Sequence, residues 1–217
     1  MLSSTYQMST AANAKAAEID LENRLHWRAN RRRLEVEAIR DAIVAMAGDL
    51  DFTMGGAMLT YKDREYVANT KKKGDIDYDR NLRAVYMPVV RSSMYDLFMA
   101  FDLPDSSTAN GDRNSSVVAP QALFMMNGSI LLKSTRKMAE SLLATSGIDD
   151  GARVRLVYEK AFGRLPSRHE TDRALTFVQR IGEALGNRAG DPGDRRLRAW
   201  QSFCKSVIAS NEFIYLN

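Results

Sequence analysis

Apolar residues recur at helical spacing along most of this 217-residue chain, broken by two long polar stretches. Val36, Ile39, Ile43 and Met46 return every three or four positions, flanked by Ala38, Ala42 and Ala45. They predict a helix over 31–47 that Gly48 stops. On its polar side Arg33, Glu37, Arg40 and Asp41 stand three or four residues apart, the spacing of ion pairs along one helix. Upstream, 1–19 read as a turn or frayed segment, and Asp20 is placed to N-cap a short helix over 21–29. Residues 49–80 read as a loop. The β-branched and aromatic run AVYMPVVR at 84–91 predicts a short strand, confined to a sheet edge by Pro88. One or two helical turns are expected over 94–101, and 102–117 form a second polar loop.

From 118 onward the pattern is a helical array. A helix begins near Pro120 and breaks at Asn127-Gly128; another covers 129–144 with Ile130, Leu131, Met138 and Leu142 inward. Val154, Val157, Tyr158, Ala161 and Phe162 stripe a third, ended by Gly163. Ser167 and Glu170 make a capping box for a fourth, striped by Leu175, Val178, Ile181 and Leu185. Leu197, Trp200, Phe203, Cys204, Val207 and Ile208 stripe the last, and the tail 211–216 is apolar enough that it is expected to dock. The fold class is mainly α: an irregular bundle of six to eight helices, with long loops at 49–80 and 102–117, a helical array over 118–217 and at most a minor β element.

Composition narrows the function classes. Hydrophobic residues make up 45% and charged residues 27%, as in ordinary globular proteins. No apolar run approaches 18 residues, so no membrane span is predicted. The formal charge of +4 is concentrated in the C-terminal third, yet the aromatics there fall on apolar stripes and do not interleave with the arginines. No nucleic-acid partner is expected. The lone Cys204 allows no intrachain disulfide and no cysteine metal site; with His169 35 residues away, it is read as an inert core thiol. Glycine-rich phosphate loops, the Gly-x-Ser-x-Gly elbow, His-Glu-x-x-His and Cys-x-x-Cys-His do not occur, so neither cofactor nor metal is expected in this chain. Asp75, Asp77 and Asp79 alternate as in a calcium loop, but Arg80 and Tyr86 replace its required Gly and Glu.

The remaining chemistry lies in a polar cluster. Glu35, Glu37 and Asp41 share a segment with Arg32, Arg33 and Arg40, and Arg113 and Gln121 of the later loop and helix join them as candidates. Paired carboxylates perform acid–base work when their pKa values are pushed apart. Neighbouring arginines instead favour the ionised forms, and bidentate Arg–carboxylate bonds pin loops to helices. The composition of the cluster favours pinning.

Six blocks occur in order: NRLHWRANRRRLEVEAIRDAIVAMAGDLDFTMGG, RAVYMPVVR, LFMAFDLPD, DRNSSVVAPQALFMMNGS, LVYEKAFGRLPSRHE and IASNEFIYLN. Together they resemble a domain of unknown function from planctomycetes and related bacteria. That domain is the C-terminal member of a pair in large secreted proteins, often with a planctomycete-type cytochrome c head. Leu82-Arg83 departs from the family's paired arginines, and 57–80 does not match in detail. The resemblance implies that residues 1–217 are the C-terminal portion of one such domain. It also implies an extracytoplasmic setting, with the upstream part of the domain and a cytochrome c domain as partners. The expected role is a non-catalytic binding or scaffolding module linked to electron transfer or polysaccharide degradation. The alternative is part of a hydrolytic or redox-linked enzyme domain whose site the upstream region completes.

Overall fold

The computed structural model describes residues 2–55, 78, 80–90, 94–105, 108–109, 111, 113–186 and 191–216. Among these the protein is mainly helical: α1 (Ala14–Ile19), α2 (Val36–Met46), α3 (Asp96–Ala100), α4 (Ala119–Asn127), α5 (Ser129–Ala144), α6 (Asp150–Phe162), α7 (Arg168–Leu185), α8 (Pro192–Ile208) and α9 (Asn211–Ile214). Nine helices among the described residues stand against six to eight expected; the short α1 and α9 account for the excess. The minor β element is one antiparallel pair, β1 (Arg32–Arg33) with β2 (Tyr215–Leu216), which ties an early segment to the chain's tail. No helix among the described residues is long and apolar enough to cross a membrane.

The hydrophobic stripes explain the packing. Helix α8 lies against both α5 and α7, and α2 packs on α5. Trp200, Cys204 and Ile208 of α8, Leu131 of α5, Val154 and Val157 of α6, and Ile39 and Ile43 of α2 are wholly removed from solvent. Burying each large side chain contributes about 1.5–3 kcal/mol. The stripe of α7 is only half-buried, and Ala174 is its one fully buried residue. Local signals set the ends. Asp149 accepts the Ala152 N–H at 2.7 Å to start α6, and Gly163 ends it at φ +66°, a left-handed conformation that costs glycine little. Ser167 and Glu170 exchange the reciprocal bonds of a capping box at α7.

Four expectations need correction. Residues 21–29 form turns and no helix: Leu21 and Leu25 are exposed, so no apolar face is buried there to stabilise one. Asp20 ends α1, and its carboxylate accepts the N–H groups of Arg24 (2.9 Å) and Leu25 (2.7 Å). The segment expected to be frayed contains α1, N-capped by Asn13. The helix expected over 31–47 begins at Val36, because the backbone of 32–34 pairs with the docked tail, including a Leu34 N–H to Ile214 C=O bond of 2.8 Å. Within 84–91 no strand forms over the described residues; Ala84–Tyr86 make a 3-10 turn against α2. Lys71–Lys73, Asp75, Asp77 and Asp79 lie outside the described residues.

Candidate functional site

The polar cluster assembles around the start of α2, but not through the helix-surface pairs that its spacing suggested. Arg33 precedes the helix and faces the 101–118 loop. Its side chain, 6% exposed, donates to Ser116 C=O at 2.5 Å and to Asp102 Oδ2 at 2.7 Å, and its guanidinium sits 5.6 Å from the centre of the Phe101 ring. Asp102 adopts φ +57°, a left-handed conformation that Asp tolerates better than most side chains. That bend lets the carboxylate also accept the Ser116 N–H (2.9 Å) and the Ser116 hydroxyl (2.8 Å). Gln121 closes the group from α4, donating to Ser116 C=O at 3.1 Å. Burial raises the Asp102 pKa, but the bonds from Arg33 and Ser116 outweigh it and hold the carboxyl below its usual range.

Arg40, fully buried on α2, reaches the opposite way. It donates to Leu82 C=O at 2.6 Å, to Arg80 C=O, and to its neighbour Asp41 at 3.1 Å. Asp41 in turn accepts the Ala84 N–H at 2.8 Å. One guanidinium and one carboxylate thus hold 80–84 against the helix. Glu37 forms a third clasp: Arg113 grips it with two bonds of 2.8 and 3.0 Å and stands 3.4 Å from Glu35. Burial of Glu37 is again outweighed by its arginine, and its pKa falls.

Arg32 is the exception. It is exposed on β1 and lies with Arg31 along an open cleft of about 650 Å³ beside the Arg33–Asp102 pair. Six of the seven sequence candidates (Arg33, Glu37, Arg40, Asp41, Arg113 and Gln121) are therefore engaged, in three clasps that fasten loop segments to α2 and to the β1 residue just before it. Asp102 and Glu37 are both stabilised as anions. Neither is poised as a proton donor near neutral pH, the condition that general-acid work requires.

Sequence reasoning missed the partners that complete these clasps. Asp102 and Ser116 carry no local signal, because they meet Arg33 across 69 and 83 residues. A second set was also missed. Arg164 binds Glu170 (2.7 and 3.0 Å) and Glu212 (2.6 and 2.9 Å), with Tyr158 and Phe162 rings beside it at 5.4 and 5.6 Å. The hydrogen bonds from Arg164 push the Glu170 pKa down to about 2. The two blocks LVYEKAFGRLPSRHE and IASNEFIYLN, which supply these residues, were the available signal. Arg153 donates to the carbonyls of Leu142 and Thr145 at the end of α5, closing that helix as a cation does best.

Cys204 is buried within α8, and burial pushes its thiol up to about 12; His169 is exposed at the start of α7. No group of three or more His, Cys, Asp or Glu side chains placed to hold a metal ion occurs among the described residues.

The model of the family PSD1, described as a protein of unknown function (DUF1553), matches residues 1–178, a span that contains every residue of the three clasps. No curated protein and no solved structure matches the chain.

Proposed function

The chain belongs to the PSD1 family, and from that premise we propose that it is a non-catalytic binding or scaffolding module of a larger extracytoplasmic protein linked to electron transfer or polysaccharide degradation. One observation carries this reading: the charged groups that a catalytic site would need are engaged in holding loops. Arg33, Arg40 and Arg113 donate to backbone carbonyls and carboxylates, and Asp102 and Asp41 accept backbone N–H groups. Such an arrangement fixes the shape of a surface. It weighs against the alternative, an enzyme site completed by the upstream region, because acid–base chemistry at the cluster would have to break its clasps. The partners in this reading are the upstream part of the same domain and a neighbouring cytochrome c domain.

The test uses the parent protein and the chain together. Glu37→Ala and Arg40→Ala are introduced into both, and thermal unfolding is compared with whatever turnover and glycan or partner binding the parent displays. Falling stability with unchanged turnover per folded molecule is expected. A turnover lost from protein that melts like the wild type would overturn the scaffold reading. So would a parent protein that binds neither a partner nor a glycan.

A further inference from the structure

Two cavities meet at the Arg33 wall, and they differ in character. The first is the open cleft of about 650 Å³, whose lining includes Arg31, Arg32, Arg33 and Arg113 together with Glu35 and Asp102. Asp102 is held by Arg33, and Glu35 and Glu37 stand within reach of Arg113. Arg31 and Arg32 remain, exposed and without an ion pair among the described residues. The cleft also reaches Val36, where α2 starts with no side chain capping its first N–H groups, so the positive end of the helix dipole adds to the arginines. The second cavity, about 350 Å³, shares Arg33, Phe101, Val117 and Tyr215 with the first and continues over Val118, Met125 and Met126. Its surface is apolar, and Val117, Val118 and Met126 stand exposed at its rim.

Arg33 adds an observation of its own. Its side chain is 6% exposed, and its Nε has no hydrogen-bond partner among the described residues. A buried N–H is normally paired, so a donor in the shared wall lacks an acceptor. That nitrogen is itself closed off from solvent, so Arg33 contributes to the wall as a fixed positive charge held by Ser116 and Asp102.

We propose that these two cavities form one site for a small amphipathic organic anion. Its carboxylate lies among Arg31, Arg32 and Arg33, and its apolar body lies over Phe101, Val118 and Met126. Guanidinium groups match a carboxylate in shape and charge, and the combined cavities fall in the size range of small-molecule sites. The proposal goes beyond the scaffold reading and does not depend on it, because Arg31 and Arg32 belong to none of the three clasps.

The experiment is calorimetric titration of the chain at fixed ionic strength with sodium octanoate below its micelle concentration, sodium acetate and octanamide. Octanoate is expected to bind saturably at one site, at least about tenfold tighter than acetate, which lacks the body, and than octanamide, which lacks the charge. R31A/R32A should bring octanoate down to the level of octanamide, and M126Q should weaken octanoate while leaving acetate unchanged. Both variants change exposed side chains, and their melting curves should match the wild type. Equal binding of octanoate and octanamide would overturn the proposal. So would octanoate binding that R31A/R32A leaves intact, or the absence of saturable binding.

Discussion

Arg40 gives the sharpest test of how the loop segment 80–84 is held. Replacing it with Met keeps most of the buried stem and removes the guanidinium. The carbonyls of Leu82 and Arg80 lose their donor, and Asp41 keeps only its bond from the Ala84 N–H. Hydrogen bonds to a charged group contribute about 1.5–3 kcal/mol each. Three such bonds set the gross loss at about 4.5–9 kcal/mol. Removing a buried charge recovers part of that, and Arg80 is itself exposed, so its carbonyl can turn to water. A net loss of about 3 kcal/mol follows from these terms. For a chain of this length that is a fall in Tm of roughly 6–12 °C. Urea unfolding followed by the fluorescence of Trp200, buried in α8, measures it. Arg113→Met is the control: it removes the same charge from a clasp with 40% exposed side-chain surface, where about 0.5–1 kcal/mol is expected. If the two variants lose the same stability, or Arg40→Met stays within about 1 kcal/mol of the wild type, burial does not set the strength of the Arg40 clasp.

Three further predictions follow from other parts of the fold. Glu170→Gln keeps the capping-box acceptor but removes the charge that Arg164 binds. The folded-state pKa of about 2 lies below the ordinary 4.5, so this contribution is complete above pH 4.5 and is lost as the pH falls toward 2. Unfolding free energy from urea titration should drop by about 1 kcal/mol at pH 7, since the side chain is partly exposed, and the gap to the wild type should narrow below pH 4.5 and close only near pH 2. A gap that is as wide at pH 2 as at pH 7 would refute the linkage. Gly128→Ala should destabilise by about 1–3 kcal/mol, because the added Cβ would meet the Phe124 ring at 2.8 Å and its carbonyl oxygen at 2.9 Å. Gly163→Ala has open space and should lose only about 1 kcal/mol, from its left-handed backbone; scanning calorimetry ranks the pair. Cys204 should resist a thiol reagent at pH 8 in the native protein and react fully in urea, since burial keeps it protonated; rapid native labelling would contradict the packing of α8.

The resemblance read from the six sequence blocks and the family match agree at the level of a domain of unknown function. The blocks also mark where the structure concentrates its long-range ties. DRNSSVVAPQALFMMNGS carries Arg113, Ser116 and Gln121; LFMAFDLPD carries Asp102; IASNEFIYLN carries Glu212 and β2. What the blocks could not display was which residue meets which. Arg33 and Glu37 are four apart and look like a helical pair, yet one binds Asp102 and the other Arg113.

The sequence by itself determined α5, α6, α7 and α8. Periodic apolar stripes place all four, and local stops and caps that act within a few residues, such as Gly163 and the Ser167–Glu170 box, set the end of α6 and the start of α7. It also determined the composition of the polar cluster and its tendency to pin. Only the tertiary structure decided that 32–33 leave the helical pattern. Backbone pairing with a tail some 180 residues away competes there with the first helical turn, and no local preference reports on it. The same holds for 21–29, where apolar residues at helical spacing find nothing to pack against and the chain turns instead. Helical periodicity is a property of neighbours in sequence. Burial and ion pairing are properties of neighbours in space, and in this protein the polar cluster is built from the second kind.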